Sequence, residues 1–156
     1  MKIDLYMKQA ISLAEKGMKK GHGGPFGAII VKDDTVIGEG HNSVILNNDP
    51  TAHAEILAIR AACKKLSSFS LEGATLFTSC EPCPMCLAAI YWARIHKVYF
   101  AATRSDATTI DFDDEWIYSE LAQKPHNRHL PMENILRKEA TAVFDEYRMK
   151  TDRIHY

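Results

Sequence analysis

The stretch TSCEPCPMCLAAIYWAR (residues 78–94) decides how this chain is read. It begins as the end of an apolar strand, ATLFTS (74–79), passes through Glu81-Pro82 and continues as a helix with Pro84 in its first turn. Cys80, Cys83 and Cys86 stand three apart, and the fourth cysteine, Cys63, is alone. Thiols at i and i+3 lie on one face of that first turn, where the helix dipole favours thiolate. An iron–sulfur run of the C-x₂-C-x₂-C-x₃-C type needs a cysteine where this chain has Ile90. On the cysteines alone, a redox pair at Cys83–Cys86 and a zinc site both stay open.

Outward from that stretch the chain alternates strands and helices. Tyr6, Ala10, Ala14 and Met18 recur every fourth residue, which predicts a first helix with Asp4 as its N-cap and Gly21 at its stop. Phe26 to Val31 reads as a strand, Asp33-Asp34 as a turn, and Val36 to His41 as the returning strand of a hairpin. Thr51 is placed to cap a second helix whose apolar face is Ile56, Ile59, Cys63 and Leu66. KVYFAA (97–102) is a further strand. Beyond Thr103 the pattern loosens into a short helix from Asp113-Asp114-Glu115 through Leu121, a polar loop over 125–131 and a helix over 137–149. Thr151 to Tyr156 has no period. The order ββαβαβ behind a leading helix predicts an α/β sandwich with helical crossovers between its later strands.

The second informative stretch is NNDPTAHAEILAIR (47–60), which sets His53 and Glu55 in the first turn of a predicted helix. His53, Cys83 and Cys86 then make three ligands for a tetrahedral zinc with a fourth position open. H-x-E followed by P-C-x-x-C is the signature of zinc nucleobase deaminases. With GGPFGAIIV (23–31) and FDD (112–114), these residues make the chain resemble the cytidine/deoxycytidylate deaminase superfamily from Gly23 to about Ala101. Over nearly its whole length it resembles the small bacterial guanine deaminases. The resemblance implies a three-layer α/β/α sandwich with a central mixed sheet of about five strands and helices on both faces. It also implies one Zn²⁺ per subunit and hydrolytic deamination of guanine to xanthine and ammonia. His53, Cys83 and Cys86 would hold the metal and Glu55 would shuttle protons.

For the substrate, Phe26 and Trp92 are candidate walls of a flat slot, although each suits a plain core. Asn42 offers an amide donor and acceptor, and the backbone N–H of Ala54 or Cys83 can steady the substrate. Asp114 is the candidate partner for the N1–H and 2-amino edge of guanine, while Asp113 or Asp114 can also cap a helix. Tyr156 resembles the guanine-deaminase ending and is expected to close the pocket. The family implies a homodimer, with C-terminal segments able to pack across it. Cys80 is expected to be a buried strand-end thiol and Cys63 a core residue. His22, His41, His96, His126, His129 and His155 are assigned to loops or surface.

Composition narrows the partners. Nineteen Lys and Arg oppose twenty Asp and Glu, a net charge of −1, which does not suit a polyanion such as tRNA. Guanosine deaminases share GGPFGA, TAHAE and CEPCPMC, so a ribose-bearing substrate stays open, as do cytosine and tRNA adenosine. No apolar run approaches the roughly 20 residues of a membrane span, and MKIDLYMKQA lacks the apolar core of a signal peptide. The expectation is one cytoplasmic domain over 1–156, with the zinc core over about 1–103 and a lid and dimer segment over about 104–156.

Overall fold

Tyr6, Ala10 and Ala14 of the first helix, α1 (Ile3–Lys19), are buried as expected, but the fourth buried residue is Gly17, and Met18 is exposed. The computed structural model describes residues 2–156. Lys2, not Asp4, holds the N-cap position, and Asp4 lies in the first turn, where its charge meets the positive end of the dipole. Gly21, at a φ of 69°, lets the chain turn away at the far end. β1 (Gly27–Lys32) and β2 (Thr35–His41) pair antiparallel across Asp33 and Asp34, both at positive φ as a tight hairpin turn requires. β3 (Thr75–Cys80) lies antiparallel to β1, and β4 (Lys97–Ala102) runs parallel to β3. The sheet order is β2-β1-β3-β4.

Among the described residues the sheet has four strands, against the expected five or so. After β4 a capping box turns the chain into a short helix, α5 (Arg104–Thr108). The Thr103 hydroxyl accepts from Asp106 N–H at 3.3 Å, and the Asp106 carboxylate accepts from Thr103 N–H at 2.8 Å.

Alternation along β1 builds the layers. Ile29 and Val31 pack with Tyr6, Ala10 and Phe77 beneath α1. Ala28 and Ile30 face the other way, against Ala54, Ala58 and Ala62 of α3 (Ala54–Leu66) and Ile90 of α4 (Pro84–Trp92). The result is the expected sandwich, with helices on both faces of a mixed sheet.

α3 differs from expectation at its start and on its face. Asp49 takes both the N–H and the hydroxyl of Thr51, at 2.8 and 2.7 Å, so His53 rather than Thr51 becomes the N-cap residue. Its buried stripe is Ala54, Glu55, Ala58 and Ala62, with Ile59 and Cys63 packed only partly against the core. The cause lies in β2. A Cβ at Gly38 would sit 2.3 Å from the Ala58 carbonyl oxygen, and one at Gly40 would sit 2.5 Å from that of Ala54. Helix and strand approach too closely for large side chains between them. A four-residue helix, α2 (Val44–Asn47), fills the connection and was not expected.

The chain forms two compact units, the first through Glu115 and the second Trp116–Tyr156. α6 (Asp114–Ala122) begins in one and continues into the other. Within the second unit, Glu120 accepts from the backbone N–H of His129 and pairs with its ring, both at 2.8 Å. A 3₁₀ turn (Pro125–Asn127) and α7 (Arg137–Met149) follow. Tyr147 O–H donates to the Ile154 carbonyl at 3.3 Å, tying the end of the chain back to α7. No residue from 116 to 156 is buried. No helix among the described residues is long and apolar enough to cross a membrane.

Candidate active site

The N-termini of α3 and α4 meet beside β3. His53 and Cys83 are the N-cap residues of the two helices. His53 Nδ1 lies 3.5 Å from Cys83 Sγ and 3.5 Å from Cys86 Sγ. Zinc–nitrogen and zinc–sulfur bonds of about 2.0 and 2.3 Å at a tetrahedral angle give an N···S edge of about 3.5 Å. The three ligand atoms all lie within 4.8 Å of one another, so donor chemistry and spacing both fit zinc. Among the described residues Cys80 is not part of this group. It ends β3, is buried, and points its thiol at the Thr103 carbonyl at 3.6 Å. Burial pushes that thiol up to about 11, so it keeps its proton.

Charge is already sorted among the ligands. The Cys86 thiol and then the His53 ring donate toward Cys83, holding it as a thiolate with a pKa of about 4. The Cys86 N–H adds a third donor at 3.5 Å. His53 is raised in turn, chiefly by its bond to Cys83, and Cys86 is raised by donating to Cys83 and by burial.

Glu55, in the first turn of α3, is buried. Its Oε1 accepts from the Thr78 hydroxyl at 3.0 Å and its Oε2 from the Cys86 thiol at 3.4 Å. Burial is the largest influence on it and raises its pKa, which favours a carboxyl able to carry a proton.

His53 and Cys83 of the ligand group line a cavity of about 410 Å³, counted to its open mouth. Phe26, Asn42 and Asp114 line it, along with His53, Glu55 and Cys83. Phe26 meets Phe112 edge to face, with centroids 4.9 Å apart. Asn42 Oδ1 accepts from Val44 N–H at 3.2 Å, leaving the amide nitrogen as the donor toward the cavity. Asp113 accepts from Glu115 N–H at 3.1 Å and so takes a capping role, while Asp114 turns inward. Burial raises the Asp114 carboxyl.

The remaining candidates lie elsewhere. Ala54 is fully buried at the first position of α3. Trp92 is 63% exposed at the end of α4 and is not among the lining residues. Tyr156 is exposed in the second unit. Three lining residues escaped the sequence reading of the pocket: Cys80, Glu81 and Phe112. Glu81 pairs with Arg104 Nε at 3.1 Å and accepts from Arg104 N–H at 3.1 Å. Its position between two cysteines was the available signal. Phe112 had none apart from its place in FDD.

Fold, ligand cluster and buried carboxyl define one class. The model of the cytidine and deoxycytidylate deaminase zinc-binding region matches residues 1–102, and the chain belongs to that family. It is 46% identical to guanine deaminase of Bacillus subtilis (strain 168) over 156 residues, the whole of both chains. The X-ray structure of guanine deaminase from Bacillus subtilis superposes with a TM-score of 0.96 at 46% identity, covering 100% of this chain and 99% of that one. The tRNA-specific adenosine deaminase of Aquifex aeolicus (strain VF5) is also 46% identical, but over 99 residues, 64% of this chain and 65% of that protein.

Proposed function

We propose that this protein is a zinc-dependent guanine deaminase, converting guanine and water to xanthine and ammonia. The observation that carries the reading is the reach of the likeness. The tRNA-specific enzyme matches about two thirds of the chain, whereas the guanine deaminase matches all of it, including residues 104–156. The net charge of −1 also suits a small uncharged base better than a tRNA.

His53 Nδ1 and the sulfurs of Cys83 and Cys86 would hold the metal. When bound, zinc supplies a Lewis acid that lowers the pKa of water from about 15.7 toward 7. Glu55 takes one proton from the attacking water and delivers it to a ring nitrogen as oxygen adds at C2. It then takes the second proton from the new C2 hydroxyl and passes it to the 2-amino group, which leaves as ammonia while the C2 carbonyl forms. Its bond to the Thr78 hydroxyl holds the carboxyl in place between those transfers. The Asn42 amide nitrogen donates to an acceptor on the base. Asp114 accepts from the N1–H and 2-amino edge. Phe26 and Phe112 enclose the ring, and the N–H of Ala54 at the start of α3 steadies the polar edge of the bound base.

The full chain is read as one deaminase domain that works as a cytoplasmic homodimer, with residues 104–156 as lid and dimer contact. Two features support the dimer. The apolar helix α4 and the edge strand β4 leave Tyr91, Trp92 and Phe100 exposed. The second unit buries none of its own side chains, and Phe144 is 70% exposed. Trp92 then belongs to the covered face, and Tyr156 closes the cavity of a second copy.

Incubating the zinc-loaded protein with guanine, guanosine, cytosine and adenine while following ammonia tests the substrate. Release from guanine alone is expected. Release from guanosine but not guanine overturns the substrate assignment.

A further inference from the structure

The sequence reading left His22 and His41 as unrelated loop or surface histidines, but the fold joins them. His22 Nδ1 and His41 Nε2 are 2.9 Å apart, with the rings stacked at 5.1 Å between centroids. The pair links two segments that carry substrate-facing side chains. His22 begins the glycine-rich loop that leads to Phe26, and His41 ends β2 immediately before Asn42. The His22 carbonyl also accepts from Ile45 N–H and Leu46 N–H, both at 3.0 Å, so this loop grips α2 as well. Between the two segments, Asn42 N–H donates to the Phe26 carbonyl at 2.9 Å. A Cβ at Gly23 would lie 2.0 Å from Asn42 Oδ1, which shows how tightly the loop lies on that amide.

We propose that the His22–His41 pair is a positioning device that holds Asn42 against the cavity and releases it in acid, so that substrate affinity falls before the chemical step does. This rests on the guanine-deaminase reading for its substrate and on the ring geometry for its mechanism.

An imidazole–imidazole hydrogen bond needs one N–H and one lone pair. It survives with neither ring or one ring charged, and fails once both rings carry a second proton. The groups facing His41 make that double charge costly. Lys16 of α1, Lys20 at its C-cap and the His22 ring all disfavour it, and Glu39 of β2 opposes them. Burial is the largest influence and lowers the His41 pKa below the ordinary imidazole value. The ring packs on Gly17, where even a Cβ would come within 2.5 Å, so it has no room on the α1 side. Double protonation therefore drives the rings apart toward solvent and carries the Gly23–Phe26 loop off Asn42.

The test compares wild type, H22Q and H22A between pH 8 and pH 5. Guanine kinetics are run beside NMR of the Asn42 side-chain amide and the Val44 backbone amide, with zinc content measured in each sample. Gln at position 22 still accepts or donates but does not titrate. In wild type, KM should rise about 3- to 10-fold as pH falls through the lower imidazole range, the loss of one orienting hydrogen bond, while kcat changes less. Both amide signals should move over the same range. H22Q should keep the wild-type KM at pH 8 and flatten both responses, and H22A should show the raised KM at every pH with zinc content unchanged. Amide signals in wild type that ignore pH, or an equal rise of KM in wild type and H22Q, overturn the proposal. If wild type turns over no guanine, the functional reading fails, and the amide signals still decide whether the pair holds Asn42.

Discussion

Glu55 is buried, bonded on both carboxyl oxygens and close to the Cys86 thiol. A carboxyl so enclosed loses hydration that would stabilise its charge, so its pKa is raised above the ordinary carboxylate value. Glu55→Gln keeps the shape and removes the transferable proton. It should retain zinc while kcat falls by about 10²- to 10⁴-fold, the usual contribution of a positioned acid–base group. Cys83→Ala should instead lose zinc, because it deletes a thiolate already favoured at neutral pH. Metal analysis beside turnover separates the two, and zinc lost from the Glu55 variant but kept without Cys83 would reverse the roles. These residues were legible because each sits at the N-cap or in the first turn of a helix, where spacing along the chain becomes spacing in space. Phe112, Glu81 and the His22–His41 pair were not, because their partners lie far along the chain or on another element.

At the level of elements, the hairpin, β3, β4 and the helix over 137–149 followed from alternation and turn residues. α3 did not. A search for large apolar residues selects Ile56, Ile59, Cys63 and Leu66, whereas the buried stripe is alanine because Gly38 and Gly40 draw β2 against the helix. The choice between stripes depends on a strand some 15 residues away and cannot be made from the helix alone. Gly40→Ala places a methyl 2.5 Å from the Ala54 carbonyl oxygen and 2.9 Å from Ala58 N. Such overpacking costs about 1–3 kcal/mol. Calorimetry should show Tm lowered by roughly 3–10 °C for a chain of this length. An unchanged Tm would mean that the helix shifts away without cost. The short helices α2 and α5 were missed for another reason: four and five residues are too few to show a period.

At the scale of the molecule, the exposed apolar residues of α4, β4 and the second unit argue for a second copy. Light scattering should give about 35 kDa, twice the 17.6 kDa of one chain, and Phe144→Glu should shift it toward the monomer. A wild-type mass of one chain would remove the dimer from the account. The break after Glu115 was not legible, because α6 runs through it with no glycine or proline to mark it. The central claim joins metal, site and substrate. It is tested by stripping the protein with a chelator, adding zinc back in steps and measuring xanthine formed from guanine at each step. The account predicts negligible xanthine without metal and a linear rise to a plateau at one zinc per chain. Full activity in the stripped protein, or no xanthine at one zinc per chain, would contradict it.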